Sequence, residues 1–247
     1  MVTIKSNSEI NKMKKAGYIN YLTHEEIKSK LNVGMSTNEL NEIADNFIRK
    51  HGAIPSSLNF QGYPKSICVS VNDEVVHGIP SDRIIKDGDV VSIDLTVRFD
   101  GYESDSARTY IVGNASKEVK DLVENTEKSL YEGLSKVRDG VRLSEIGLAI
   151  ENFAHSKGLS VVRELVGHGI GKNMHEAPDV PNYYTETDVI LKEGMTICVE
   201  PMLNLGTKDI YIEDDLWTIK TKDGKQSAHF EHTIVVTKNS YEILTGE

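Results

Sequence analysis

An internal repeat is the feature of this sequence that most restricts its fold. When the chain is shifted so that Asp94 falls on Glu200, the match extends over approximately residues 26–94 and 132–200. A spacing this long is not that of a solenoid. The repeat predicts a single domain over residues 1–247, built from two similar halves that are related by an approximate two-fold axis. Asp94 and Glu200 would then face each other near that axis. Other matched pairs are Gly34 with Gly140, Glu39 with Glu145, Phe47 with Phe153 and Gly52 with Gly158.

The composition excludes several functional classes. The 247 residues are 38% hydrophobic, which is enough for a substantial core. The 28 basic and 38 acidic residues give a formal net charge of −10, which argues against a specific nucleic-acid-binding surface. Two cysteines are too few for a disulfide framework, and the amino terminus lacks the apolar segment of a secretory signal. We therefore expect a cytoplasmic protein that does not associate with membranes.

Helix and strand signals alternate in blocks. Ser6-x-x-Glu9 and Ser36-x-x-Glu39 are capping boxes that predict two amphipathic helices, the second of which ends near Gly52. Their copies are predicted over about 117–137 and 144–157, before Gly140 and Gly158. Each half is therefore an α+β unit with an antiparallel sheet. The strand-like segments, rich in β-branched residues, are 67–76, 89–99, 109–112, 195–200 and 231–237.

A hairpin brings two aspartates together in the first half. Asp100-Gly101 is a two-residue turn signal between two strand-like segments. That turn places Asp94 opposite Ala107 and diagonal to Asp105, on the polar face of the strands. Diagonal neighbours lie roughly 7–8 Å apart, so both carboxylates can bind one cation. The alternative is two solvated aspartates on an exposed strand face.

The second half supplies further carboxylates and an imidazole. Glu200 ends an apolar run before Pro201, and Glu231 lies in a strand-like segment, with an insertion around residues 204–225 between them. Acidic side chains within strands are costly to bury unless they are paired with cations. His168, in the sequence GHGIG, adds a nitrogen ligand, although a histidine among glycines is more often structural when considered alone. Four carboxylates and one imidazole suit Mn²⁺, Co²⁺, Fe²⁺ or Zn²⁺.

Six motifs, in this order and spacing, closely resemble those of the type I methionine aminopeptidases. They are NDEVVHGIP at 72–80, IDLTV at 93–97, GHGIG at 167–171, MHE at 174–176, VEPM at 199–202 and FEHTI at 230–234. The resemblance covers nearly the whole chain. It implies the pseudo-two-fold pita-bread fold of that family, in which a curved antiparallel sheet is covered by two helix pairs.

The resemblance also implies a mechanism. A metal-activated water would attack the first peptide bond and release the initiator methionine from nascent proteins whose second residue is small. Two divalent ions, Co, Mn, Fe or Zn, would be bridged by Asp105 and Glu231. Glu200 would accept a proton, His175 would stabilise the oxyanion, and His77 would contact the substrate backbone. The implied metal ligands are Asp94, Asp105, His168, Glu200 and Glu231.

The resemblance further implies a methionine pocket and some of the protein's partners. We expect a monomer that acts on peptides with N-terminal methionine and associates transiently with the ribosome. Two positions depart from the usual family pattern, because Ser57 stands where many relatives have cysteine and Met174 where an aromatic residue is usual. The implied pocket residues, beside His77 and His175, are Phe60, Tyr63, Cys68, Met174 and Trp217.

Two alternative functions remain open, and five histidines are not among the implied site residues. Aminopeptidase P and prolidase use the same fold and ligand types, and non-catalytic members of the fold act as binding modules. His229 has the strand parity of Glu231, so it either contacts a metal-binding carboxylate or turns to solvent. The other histidines receive no role: His24, His51 and His155 are predicted on helix surfaces, and His232 is predicted to point away from the face of Glu231.

Overall fold

Four helices form two pairs in the computed structural model, which describes residues 2–246. Helices α1 (Asn7–Lys30) and α2 (Thr37–Lys50) belong to the first half, and α3 (Lys117–Leu134) and α4 (Ser144–Ser156) to the second. Both predicted capping boxes are confirmed. The third helix ends earlier than predicted, because the N–H groups of Lys136 and Val137 bond three residues back and tighten the chain into a turn. Among residues 2–246, no helix is long and apolar enough to cross a lipid bilayer.

The strands are short except for one hairpin. A 3₁₀ turn, Phe60–Gly62, precedes β2. In chain order the strands are β1 (Ile54–Pro55), β2 (Cys68–Val71), β3 (Glu74–Val76), β4 (Val90–Phe99), β5 (Tyr102–Ile111), β6 (Ser160–Val161), β7 (Gly167–Gly169), β8 (Glu176–Val180), β9 (Thr196–Val199), β10 (Met202–Asn204), β11 (Ile210–Ile212), β12 (Ile219–Thr221), β13 (Ser227–His229), β14 (His232–Val236) and β15 (Tyr241–Ile243).

The long hairpin of β4 and β5 has the predicted register. Asp94 pairs with Ala107, and Thr96 pairs with Asp105. Asp100 and Gly101 have φ values of 49° and 80°, as a two-residue hairpin turn of type I′ requires. Strand β4 also pairs with β1 and β2, so it lies at the centre of the first sheet. The two aspartates therefore project from one face of a well-paired ribbon.

The second half is built around β9. This strand pairs with β14 and β7, and β15 and β8 complete a five-stranded sheet. The predicted insertion is present as the hairpin of β11 and β12, which pairs with β3 of the first half. All strand pairs described in residues 2–246 are antiparallel, as expected.

Three predicted strands have different limits. The segment 67–76 is divided into β2 and β3, because Asn72 takes a left-handed φ of 62° and reverses the chain. The predicted strand at 109–112 lies at the end of the longer β5, which begins at Tyr102. The polar residues in the first part of β5 have low β propensity, but they pair with β4 and so extend the strand. Glu231 lies just before β14, in the short gap after β13.

Each half has its own apolar cluster, and the two clusters contain equivalent residues. Leu40 and Ile93 are fully buried in the first cluster, and their repeat partners Ile146 and Val199 are fully buried in the second. Burial of one such side chain contributes about 1.5–3 kcal/mol. The helices therefore hold the outer faces of the sheets, which leaves the polar faces of β4, β5 and β9 to form a site.

The prediction for His24 was wrong. His51 and His155 are exposed as expected, but His24 is 0% exposed on the inner face of α1. Its Nε2 lies 3.2 Å from the carbonyl oxygen of Ser106 and 3.1 Å from the hydroxyl. The polar backbone of β5 gives the imidazole a partner inside the core, which sequence periodicity does not reveal. His232 contacts Tyr131 and Thr245, away from the carboxylates.

Candidate active site

One cavity of about 580 Å³ is lined by predicted site residues from both halves of the molecule. Strands β4 and β5 carry two of the aspartates, β7 carries the imidazole, and the ends of β9 and β13 lead into the glutamates. Two more histidines, from the end of β3 and from the loop before β8, stand at the wall. The predicted residues that line the cavity are Asp94, Asp105, His168, Glu200, Glu231, His77 and His175.

His168 lies beside two of the carboxylates. Its Nε2 is 3.8 Å from Oδ2 of Asp105 and 3.6 Å from Oε1 of Glu200. The carbonyl of Gly169 lies 2.9 Å from Nδ1 and can only accept, so Nδ1 carries the proton. The lone pair of Nε2 therefore faces the carboxylates. This is the tautomer in which an imidazole binds a metal ion.

The glycines beside His168 are required by close backbone contacts. A Cβ atom at Gly167 would lie 2.3 Å from the carbonyl oxygen of Cys198. A Cβ atom at Gly169 would lie 2.2 Å from the carbonyl oxygen of Ala177. These distances leave no room for a side chain, so the GHG sequence lets β7 fit between its neighbours and bring its imidazole to the cavity.

A compact group of ligand atoms includes a thiol that the sequence analysis did not select. One ligand atom from each of Asp105, His168, Cys198 and Glu231 lies within 4.8 Å of all the others. Cys198 is buried on β9 and shares the strand parity of Glu200, which was the available signal. Asp94 lies beside this group, diagonal to Asp105 across β4 and β5.

The carboxylates are strongly perturbed. Burial raises the pKa of Asp94 to about 6, against a hydrogen bond from Asp105 that lowers it. Burial, followed by repulsion from neighbouring carboxylates, raises the pKa of Asp105, Glu200 and Glu231 well above the ordinary range. Four acidic groups in one buried site are thus unfavourable as free anions, and a bound cation removes the repulsion.

Unpaired oxygens show that the group fits divalent ions. Within residues 2–246, Oδ1 of Asp105 and Oε1 of Glu231 are buried and have no hydrogen-bond partner. Buried polar atoms in native proteins are nearly always satisfied, by protein groups, water or ions. The donor set is rich in carboxylate oxygen and contains one imidazole nitrogen, which suits a catalytic divalent ion better than a thiolate-based structural zinc.

The histidines of the cavity are neutral at pH 7. Burial, with a smaller effect of His175, lowers the pKa of His168 and of His77 to about 4. Burial also lowers the pKa of His175, and lowers that of His229 to about 3. Neutral imidazoles can bind metal ions and donate one hydrogen bond without adding positive charge.

The predicted pocket residues surround the two histidines at the wall. The ring of Phe60 lies 5.4 Å from that of His175, and the ring of Trp217 lies 6.4 Å from that of His77. Tyr63 packs edge-on against Trp217 at 5.1 Å. Phe60 and Met174 line a neighbouring cavity of about 520 Å³ that also includes His175.

The remaining pocket residues lie close to Asp94. Cys68 is paired with Asp94 across β2 and β4, and its thiol is buried. The two departures from the family pattern meet at one hydroxyl: Oγ1 of Thr96 lies 2.9 Å from Oγ of Ser57 and 4.0 Å from Sδ of Met174. Thr96 was not among the predicted site residues, although it shares the face of Asp94 on β4.

The fold and the buried group of potential metal-binding side chains are those of a metallopeptidase. The model of metallopeptidase family M24 matches residues 11–238. Methionine aminopeptidase 1 of Bacillus subtilis is 49% identical over 246 residues, which are 99% of each chain. The crystal structure of methionine aminopeptidase from Rickettsia prowazekii superimposes with a TM-score of 0.97 at 43% identity, over 99% of this chain and 100% of that one. The chain belongs to the methionine aminopeptidases of family M24, as the motif resemblance indicated. It is a metal-dependent hydrolase that removes N-terminal methionine.

The prolidase alternative fits less well. An Xaa-Pro dipeptidase from Bacillus anthracis is 27% identical, with a TM-score of 0.78. It covers 99% of this chain, but this chain covers 62% of the dipeptidase. The shared fold is clear, while identity and coverage favour the methionine aminopeptidases.

Proposed function

We propose that this enzyme binds two divalent ions and removes the initiator methionine from proteins whose second residue is small. The observation that carries the proposal is the convergence of five ligand side chains, from both halves of the repeat, on one buried cavity. Co, Mn, Fe and Zn all suit this donor set. The proposed ligands are Asp94, Asp105, His168, Glu200 and Glu231.

The surroundings of each ligand side chain support the proposed roles of the ligands. Burial and then neighbouring carboxylates, Glu231 for Asp105 and Glu200 for Glu231, raise the pKa of both groups. Each also has an oxygen without a hydrogen-bond partner within residues 2–246. Both features suit carboxylates that share two cations. Asp94 would contribute its carboxylate from the β4–β5 hairpin, and His168 would contribute the lone pair of Nε2 from β7.

The chemistry requires a nucleophile and a proton acceptor. Divalent ions bound here would lower the pKa of water and polarise the scissile carbonyl. Glu200 is the proposed proton acceptor, because its carboxylate lines the cavity and burial raises its pKa. His175 is the proposed oxyanion donor, since its ring lies 4.3 Å from that of His168 at the cavity wall. His77 is assigned to the substrate backbone.

We also propose that methionine binds among the aromatic and sulfur side chains beside the two histidines. Sulfur makes favourable contacts with ring edges, and an unbranched side chain fits between flat walls. Trp217 and Tyr63 form an edge-on pair beside His77, and Phe60 packs on His175. The proposed pocket residues are Phe60, Tyr63, Cys68, Met174 and Trp217.

The cellular setting is proposed from composition and function. The net charge of −10 and the two unpaired, buried cysteines suit a reducing cytoplasm. We propose a monomer with one catalytic domain that acts on nascent chains and contacts the ribosome transiently. Size-exclusion chromatography with light scattering tests the monomer, since a dimer would appear at twice the mass.

The decisive experiment is hydrolysis of Met-Gly-Met-Met after removal of bound metal and reconstitution with Mn²⁺, Co²⁺, Fe²⁺ or Zn²⁺. We expect activity with at least one ion, two ions per chain by mass spectrometry, and no activity with chelator alone. Ala-Pro peptides, assayed in parallel, report the prolidase alternative. Cleavage of Ala-Pro but not of the methionine peptide, or full activity without metal, would overturn the proposal.

A further inference from the structure

His229 is a buried histidine of the cavity that the proposed reaction leaves without a role. It ends β13, where it pairs with Met202, two residues beyond Glu200. The residue is 2% exposed, so it does not turn to solvent. Its side chain lines the same cavity as the carboxylates.

The backbone of His229 is held from both sides by one hydroxyl. The N–H of His229 donates to Oγ1 of Thr109 at 2.9 Å. The same hydroxyl donates to the carbonyl of His229 at 2.7 Å. Thr109 lies on β5, the strand that carries Asp105, so the imidazole is positioned by the first half of the molecule.

The imidazole of His229 faces the carboxylate of Glu200. Nε2 of His229 lies 3.8 Å from Oε2 of Glu200 and has no hydrogen-bond partner within residues 2–246. The other oxygen of that carboxylate, Oε1, lies 3.6 Å from Nε2 of His168. Glu200 is therefore placed between two imidazoles, one for each oxygen. His168 has its lone pair directed at the carboxylates, which leaves His229 as the candidate donor.

We propose that His229 is a positioning residue whose Nε2–H would donate to Oε2 of Glu200, so that Oε1 is directed to the metal ions and the substrate; the 3.8 Å between Nε2 and Oε2 must shorten for this bond to form. This inference rests on the proposed assignment of Glu200 as a metal ligand. Hydrogen bonds to a ligating carboxylate fix its orientation and tune its basicity. A neutral imidazole in a buried site donates without bringing a charge that competes with the cations.

The test compares two variants that fill similar space. His229→Gln keeps an N–H donor, whereas His229→Met removes the donor and keeps an unbranched side chain. His24→Met is the matched control, because it removes another fully buried imidazole outside the cavity. Dissociation constants for Mn²⁺ are measured by calorimetry on metal-free protein, and unfolding temperatures are measured in chelator to compare the folds.

We expect His229→Met to weaken Mn²⁺ binding by about 10–100-fold, with His229→Gln and His24→Met close to wild type. The methionine variant should also lower kcat for Met-Gly-Met-Met more than it changes KM. Wild-type affinity in His229→Met, equal weakening in the two His229 variants, or equal weakening in His24→Met would overturn the inference. If the wild-type protein binds no Mn²⁺ at all, the proposed metal site itself fails.

Discussion

The hydroxyl of Thr233 is hydrogen-bonded to both backbone groups of Asp105. It accepts the N–H of Asp105 at 2.9 Å and donates to its carbonyl at 2.7 Å. Beside this contact, also between the two halves of the molecule, the N–H of Glu231 donates to the carbonyl of Ala107 at 2.9 Å. The two carboxylates proposed to bridge the metal ions therefore lie on opposite sides of one hydrogen-bonded seam between the halves.

Thr233→Val should lower the free energy of unfolding, because it removes the hydrogen bonds that join the two halves at this seam. Valine has the shape of threonine but leaves the N–H and the carbonyl of Asp105 without partners, so we expect a loss of about 2 kcal/mol or more. Denaturant unfolding in chelator measures the change. The exposed Thr207→Val should change the free energy of unfolding by less than about 0.5 kcal/mol. Equal effects in the two variants would contradict this explanation.

Glu231→Gln should change activity and stability in opposite directions. Loss of a proposed bridging carboxylate should lower kcat/KM more than about 100-fold, because outer-sphere changes alone cost 10–100-fold in such sites. In chelator at pH 8, the variant should be more stable than wild type by more than about 1 kcal/mol, since a buried acid with a raised pKa is removed. Unfolding in urea tests this result, with the exposed Glu164→Gln as control.

His175→Ala should separate catalysis from metal binding. If His175 stabilises the oxyanion, kcat should fall by about 10²–10³-fold while the metal content of the protein stays at the wild-type value. Steady-state kinetics and mass spectrometry of the same sample provide both measurements. Loss of metal in the variant would instead identify His175 as a ligand.

The buried His24 should make stability depend on pH. Burial, and then the charge of Arg108, lowers the pKa of His24 well below 6.5. The unfolded chain thus binds the proton more tightly, so stability is present above about pH 6.5 and is lost as the pH falls. One such group costs about 2 kcal/mol between pH 7 and pH 5. Unfolding of wild type and His24→Gln in chelator should show a smaller loss for the variant. Identical losses would count against this role of His24.

The second residue of the substrate should limit cleavage. Its side chain must pass the cavity wall beside the carboxylates, so Met-Gly and Met-Ala peptides should be cleaved with kcat/KM at least about 100-fold above Met-Leu or Met-Lys. Peptides that are matched beyond the second position isolate the effect. Comparable rates for Met-Leu would show that the wall does not exclude large side chains.

Local sequence signals predicted much of the fold and indicated the four carboxylates and the imidazole that line the cavity. The capping boxes at Ser6 and Ser36 specify helix starts, because a cap involves residues within one turn. The Asp100-Gly101 turn specifies the register of its hairpin, and the register determines that Asp94 and Asp105 share a face. The motif resemblance then implied the roles of these residues and indicated the family.

The tertiary structure decided which polar groups are buried and what they contact. The imidazole of His24 finds a partner on β5, and the thiol of Cys198 lies among the carboxylates; neither contact is encoded in nearby residues. The placement of His229 beside Glu200 likewise depends on Thr109, far away in sequence. The sequence by itself indicated the candidate ligands, the repeat and the hairpin, since these follow from residue type and local geometry. The seam between the halves required the folded chain, because side chains distant in sequence satisfy its hydrogen bonds.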